Sequence, residues 1–158
     1  MNRVGFGFDL HPLVAGRPLI LGGVTVASEV GLDGHSDADV LTHAIGEALL
    51  GALALGDLGR HFPDTDPRYK GVSSLVLLGA VIELVRSRGG RLVNVDATVL
   101  AQAPRLSPHL PEMAKQLAGA LGVPLEHVSV KAKSPEGLGL VGRREGIAAM
   151  AVVSVETQ

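Results

Sequence analysis

The chain has 158 residues, 46% of them hydrophobic and 19% charged, enough to bury a core without crosslinks and with no block of disordered composition. A net charge of -2, no cluster of Lys and Arg, and 3% aromatic residues argue against nucleic acid as a partner. Cysteine is absent, which excludes disulfides and thiolate metal sites, so any metal must be held by His, Asp or Glu. The N-terminal stretch MNRVGFGFDLHPLV has no apolar run of signal-peptide type, and no segment is apolar for long enough to span a bilayer. A cytoplasmic protein that does not bind membranes is expected.

Val4 to His11 alternates as a strand does, with glycines that allow close backbone approach. Leu19 to Val26 reads as a second strand, interrupted at Gly22-Gly23 by a turn or bulge. A loop through Gly31 and Gly34 leads to Asp37, and a helix is predicted from about Ala38 to Leu55. Gly56 to Gly71, containing PDTDP, is a long loop of the kind that more often carries function than not. A second helix is predicted from Ser73 to Arg88, with Leu75, Leu78, Ile82 and Val85 at helical spacing and Gly89-Gly90 as its stop. Leu92 to Ala101 is strand-like, Ser107 to Leu121 is a third helix closed by Gly122, and Val128 to Lys133 is a strand. A glycine-rich loop from Ser134 to Glu145 precedes the last strand, Ile147 to Val155. The expected fold is α/β (α+β): one domain over residues 1–158, a four-stranded mixed sheet with helices packed on one face.

Chemistry concentrates near the N-terminus. Asp9 and His11 are two apart, so on a strand they project to one side and can converge on a point. Taken alone, the pair is a weak signal and reads more simply as an exposed strand end. His43, with Asp39 four residues before it, lies on the helix side opposite Leu41, Ile45, Ala48 and Ala52; a solvated histidine is the plain alternative. Together Asp9, His11 and His43 form a ligand set that suits zinc and leaves a fourth position open. Leu50 on the outward side, with Leu49 and Leu53 flanking the core stripe, makes the helix apolar on both sides, which predicts a subunit contact there. Ser36 is a helix cap or a phosphate donor, Asp37 is most simply a cap, and Asp39 supports the helix start or the metal site. Lys131 and Lys133 share one side of a strand and read as a solvated face.

Six motifs occur together and in order: GFGFDLH (5–11), GHSDAD (34–39), GDLGRHFPDTDP (56–67), NVDATVLAQAPRLSPH (94–109), VKAKSPEGLG (130–139) and GRREGIA (142–148). The set resembles the 2-C-methyl-D-erythritol 2,4-cyclodiphosphate synthase family of the non-mevalonate isoprenoid pathway. The resemblance implies a homotrimer with active sites between subunits, converting a CDP-methylerythritol phosphate into a cyclic diphosphate with loss of CMP. It implies zinc on Asp9, His11 and His43, and a second divalent ion, Mg²⁺ or Mn²⁺, on Glu136, with Lys133 beside the diphosphate. His35 and Ser36 match phosphate contacts, and Asp57, Gly59, Phe62 and Asp64 match the loop around the methylerythritol part. Ala101, Ala103, Pro104, Arg105 and Leu106 match a cytidine pocket supplied by the neighbouring subunit, largely through backbone. Ser134, Leu140 and Arg143 complete the matched binding residues, Arg143 at a central cavity that can hold an isoprenoid diphosphate.

Four positions depart from the family pattern: Phe6 for His, Ala38 for Gly, Lys133 for Thr, and Met150 for an acidic residue near the central cavity. Two other functions fit the same residues. A zinc phosphohydrolase would use water as nucleophile. A trimeric scaffold without catalysis would need none of Asp9, His11, His43 and Glu136.

Overall fold

β1 runs Asn2–Ala15 in the computed structural model, which describes residues 1–158, and its two faces are used in opposite ways. Gly5 and Gly7 face inward and are buried, whereas Val4, Phe6 and Phe8 on the alternate phase are 69%, 63% and 53% exposed. The large side chains point out because helix α1 (Val40–Ala52) lies directly on the strand. A Cβ on Gly5 would stand 1.8 Å from the Ala48 carbonyl oxygen, and one on Gly7 1.9 Å from that of Ala44. Only glycine permits that approach. Gly7→Ala should push strand and helix apart and destabilise the fold by about 3 kcal/mol or more. Urea unfolding checks this, and an unchanged midpoint would contradict the packing.

The remaining elements are β2 (Leu19–Leu21), β3 (Val24–Val26), β4 (Val30–Leu32), α2 (Leu58–His61), α3 (Ser74–Ser87), β5 (Gly90–Leu100), α4 (Leu110–Leu121), β6 (Val128–Lys133), α5 (Gly139–Gly142) and β7 (Gly146–Thr157). The main sheet has the order β4-β1-β7-β5-β6. All its pairs are antiparallel except β5–β6, which α4 joins as a crossover. α1 packs across β1 and β7, α4 beside β6, and α3 bridges α1 and α4. One continuous apolar cluster fills the space between the sheet and these helices. No helix is long and apolar enough to cross a membrane.

Two expectations need correction. The main sheet has five strands, not four. Leu19 to Val26 stays outside it and closes on itself as the hairpin β2–β3, turning at Gly22 and Gly23 with φ of +56° and +74°. The extra strand is β4, whose three residues pair with Leu13 to Ala15 and are too few to show a period. The apolar flanks of α1 are also not a subunit contact: Ile45, Ala48, Leu49 and Leu50 have no exposed surface at all. The chain's own sheet and α3 enclose them, and a central helix is apolar all round for that reason. Exposed apolar surface lies instead on the outer side of the sheet. There Val4, Phe6, Phe8 and Leu10 of β1 form one strip with Val152 of β7, the partner of Phe6.

Candidate metal centre

The inward phase of β1 that carries Gly5 and Gly7 continues into Asp9 and His11. His43 precedes Ala44, the residue against Gly7, so the first turn of α1 brings its imidazole to the same place. Asp9 Oδ2 is 2.8 Å from His11 Nε2 and 3.0 Å from His43 Nδ1, and the two nitrogens are 3.2 Å apart. A tetrahedral zinc with bonds near 2.05 Å needs ligand atoms about 3.3 Å apart. The triangle is therefore one face of such a tetrahedron, slightly contracted.

The remaining ring nitrogens are tied in the sense that a metal requires. His11 Nδ1 donates to the Asp33 carbonyl at 2.8 Å, which leaves the Nε2 lone pair for an ion. His43 Nε2 lies 2.8 Å from Ser74 Oγ and 3.1 Å from Ser36 Oγ. Burial works against ionising Asp9, but hydrogen bonds and charge from His11 and His43 outweigh it and hold the carboxyl well below the usual range. Burial also opposes charge on His11, and the Asp9 hydrogen bond and charge overcome it, raising its pKa. The donor set and its geometry fit a divalent metal ion.

A cavity opens over the triad, lined also by His35, Ser36, Glu47, Gly59, Phe62 and Asp64. His35 Nε2 donates to the Asp66 carbonyl at 2.9 Å, while Gly71 N–H donates to the His35 carbonyl at 2.8 Å and Asp37 N–H to that of Val72 at 3.0 Å. Residues 35–37 and 66–72 are thus clasped together. Arg17 closes the other side, donating to the carbonyls of Gly34 at 2.8 Å and Ser36 at 2.9 Å. Asp57 caps α2 through Arg60 N–H at 2.9 Å and does not line the cavity. Phe62 meets Tyr69 edge to face, ring centres 5.3 Å apart. Glu47 accepts from Leu58 N–H at 3.1 Å, and burial pushes its carboxyl up.

The other predicted residues gather elsewhere. Ala101, Pro104, Arg105, Leu106, Lys133 and Ser134 line a second pocket where β5 and β6 end, and no residue belongs to both pockets. Ala103 lies in the same turn. Nearby, Gly137 N–H donates to Gln102 Oε1 at 2.9 Å, and Glu136 is exposed at φ +54°. Leu140 sits on α5, and Arg143 follows it with its guanidinium 2.8 Å from Glu145. Within one chain the predicted site is in two halves. Lys131, expected to be solvated, is exposed and pairs with Asp96 at 2.8 Å.

The aspartates of GHSDAD are both caps, Asp39 at the start of α1 as expected and Asp37 at the start of another helix. Asp39 caps α1, accepting from Thr42 N–H at 3.0 Å, and also receives Gly22 N–H at 2.9 Å, Gly23 N–H at 2.7 Å and the Thr42 hydroxyl at 2.7 Å. It is fully buried, and desolvation pushes its pKa up despite those donors. Its side chain holds the hairpin to the helix and bonds to none of Asp9, His11 and His43, although its carbonyl accepts from His43 N–H at 3.0 Å. Asp37 is a cap, but of α3: it accepts from Ser74 N–H at 3.0 Å. Ala38 between them has φ +58°, a conformation that costs an L-residue about 1–2 kcal/mol and that suits glycine better. Ser74, Arg17 and Glu47 were not predicted. Glu47, four residues after His43 on one helix face, carried a signal in its spacing; Ser74 and Arg17 carried none.

Residues 2–156 match the model of the YgbB family. The chain is 59% identical over 151 residues to the 2-C-methyl-D-erythritol 2,4-cyclodiphosphate synthase of Syntrophobacter fumaroxidans, covering 96% of this chain and 95% of that one. It superposes on a 2C-methyl-D-erythritol-2,4-cyclodiphosphate synthase in a CDP-bound form with a TM-score of 0.89 and 38% identity, covering 98% and 100% of the two chains. Against the bifunctional IspDF of Campylobacter jejuni the TM-score is 0.96 at 39% identity; all of this chain is matched, spanning 43% of that longer one.

Proposed function

The chain belongs to the YgbB family, that of the 2-C-methyl-D-erythritol 2,4-cyclodiphosphate synthases, and from that premise we infer how its residues carry out the reaction. It is a lyase that converts 4-diphosphocytidyl-2-C-methyl-D-erythritol 2-phosphate into 2-C-methyl-D-erythritol 2,4-cyclodiphosphate and CMP, for isoprenoid precursor synthesis. The observation that carries the assignment of roles is the Asp9–His11–His43 triangle at the floor of the cavity beside His35 and Ser36. The reading takes residues 1–158 as one domain working in the cytoplasm.

In the reaction an oxygen of the 2-phosphate bonds to the β-phosphorus, and the bond from that phosphorus to CMP breaks, its electron pair leaving with CMP. A phosphomonoester is largely ionised at neutral pH, its second pKa being about 6, so no strong base is needed. The work is to gather several anionic oxygens and hold them in line. Zinc held by Asp9, His11 and His43 supplies Lewis-acid stabilisation of phosphate oxygens when bound. The exposed Glu136 carboxylate would hold Mg²⁺ or Mn²⁺, hard cations that take carboxylate oxygen and would neutralise phosphate charge. His35 and Ser36 position the phosphates, and Gly59, Phe62 and Asp64 hold the methylerythritol hydroxyls and carbons, with Asp57 capping the helix that carries Gly59. Ala101, Ala103, Pro104, Arg105 and Leu106 receive the cytidine, with Lys133 and Ser134 beside the diphosphate.

A homotrimer with active sites between subunits accounts for the two separate pockets, because one chain's cytidine pocket then completes its neighbour's metal site. The exposed strip on β1 and β7 supports the same assembly, since apolar surface of that extent is usually covered. Leu140 and Arg143 lie on the segment leading into β7, within reach of a central cavity that could take an isoprenoid diphosphate. Met150, beside Phe8 in the sheet, makes that cavity less polar than an acidic residue would.

Turnover of the CDP-methylerythritol phosphate by zinc- and Mg²⁺-loaded protein, with products identified by mass, tests the reading. Cyclic diphosphate plus CMP is expected; a linear phosphate plus CMP would instead make the protein a zinc phosphohydrolase. Glu136→Gln should keep zinc and lose both most activity and its response to added Mg²⁺. An unchanged Mg²⁺ titration would refute the role given to Glu136.

A further inference from the structure

We propose that Asp37 and Ser74 act as positioning residues that lock the tautomer of His43 and thereby set the metal affinity of the centre. The inference rests on the reading of Asp9, His11 and His43 as a metal site. Ser74 is the first residue of α3 and has no exposed surface. Its hydroxyl lies 2.8 Å from His43 Nε2 and donates to Asp37 Oδ1, while its N–H donates to Asp37 Oδ2 at 3.0 Å. An ionised carboxylate only accepts, and a serine hydroxyl has a single proton. Ser74 must spend that proton on Asp37, which leaves its oxygen able only to accept. His43 Nε2 must then carry hydrogen, so the lone pair left for a metal is the one on Nδ1, the atom that faces His11 and that, without a metal, donates to Asp9 at 3.0 Å. Ser36 Oγ, 3.1 Å from the same Nε2, is the longer contact and has no carboxylate behind it. The polarity of the chain Asp37–Ser74–His43 is therefore set at its carboxylate end, 37 residues from Ser74 in sequence.

Asp37→Asn tests this with little change in shape. With the asparagine oxygen on the Ser74 N–H, its NH₂ meets the Ser74 hydroxyl, which must then accept there and donate to His43 Nε2, and the 3.2 Å contact from Asp39 N–H to Asp37 Oδ1 is given up. The histidine is driven to the Nδ1–H tautomer, which blocks the metal. Zinc affinity by competition with a chromophoric chelator should fall about 10- to 100-fold in Asp37→Asn and in Ser74→Ala. Nitrogen-15 spectra of the metal-free protein should show hydrogen on His43 Nε2 in the parent and none there in Asp37→Asn, which a merely structural role would not produce. If Ser74→Ala does not fold, Asp37→Asn and the spectra decide alone. Parent-like zinc affinity and an unchanged tautomer in Asp37→Asn, with zinc lost from His43→Ala, would overturn the relay and leave the metal site standing. Zinc binding that does not depend on His43 in the parent would overturn both.

Discussion

His43→Ala is expected to lose its zinc and at least about 1,000-fold in turnover while keeping fold and assembly. The imidazole supplies one of only three converging donors, and Asp9 and His11 alone leave a two-coordinate site that competes poorly with solvent and chelators. The fold should survive because the start of α1 does not depend on this side chain. Asp39 caps the helix and ties it to the β2–β3 turn, and the Gly5 and Gly7 contacts hold the helix on β1. Metal analysis after dialysis, circular dichroism and product assay check the three parts separately. Full zinc occupancy in the variant would remove His43 from the ligand set.

Co-assembly of two inactive variants should restore activity. His43→Ala damages the metal half of the site, and Glu136→Gln damages the half that carries the second pocket, and the two pockets share no residue. If each active site joins the metal half of one subunit to the other half of its neighbour, random mixed trimers contain about a quarter of sites with both halves intact. Co-expressed and purified together, the variants should therefore recover about a quarter of parent activity, far above either alone. Were each site built within one chain, every site would carry a lesion and mixing would recover nothing. Sedimentation of the same sample checks the trimer.

The candidate metal triad and the three long helices were legible because their signals are local. Asp9 and His11 sit two apart on an alternating segment, and that period alone places them on one side of a strand. The helix around His43 shows its core stripe over Leu41, Ile45 and Ala48, and the three long helices lie inside the predicted spans by a few residues, whereas the one-turn helices α2 and α5 fall in segments read as loops. The turn at Gly22-Gly23 and the segment after Gly56 that lines the cavity also announce themselves through glycine and proline.

What stayed hidden depends on contacts between distant residues. Large residues at Val4, Phe6 and Phe8 suggest a buried face, yet the glycines are the buried phase, because whether a helix backbone will lie on a strand is a property of both. The two-sided apolar character of α1 has one meaning at an interface and another in the middle of a chain, and only the placement of α3 chose between them. Asp37 reaches Ser74 across 37 residues and Ser74 reaches His43 across 31, distances over which residue spacing holds no geometric information. The sequence by itself determined the chemical inventory, namely an oxygen-and-nitrogen metal set and the order of elements that carries it. The tertiary structure decided which nitrogen of each histidine faces the common point of the triad, and that the two pockets lie apart within one chain. Periodicity orients a side chain relative to its own element, and only packing orients the elements relative to one another.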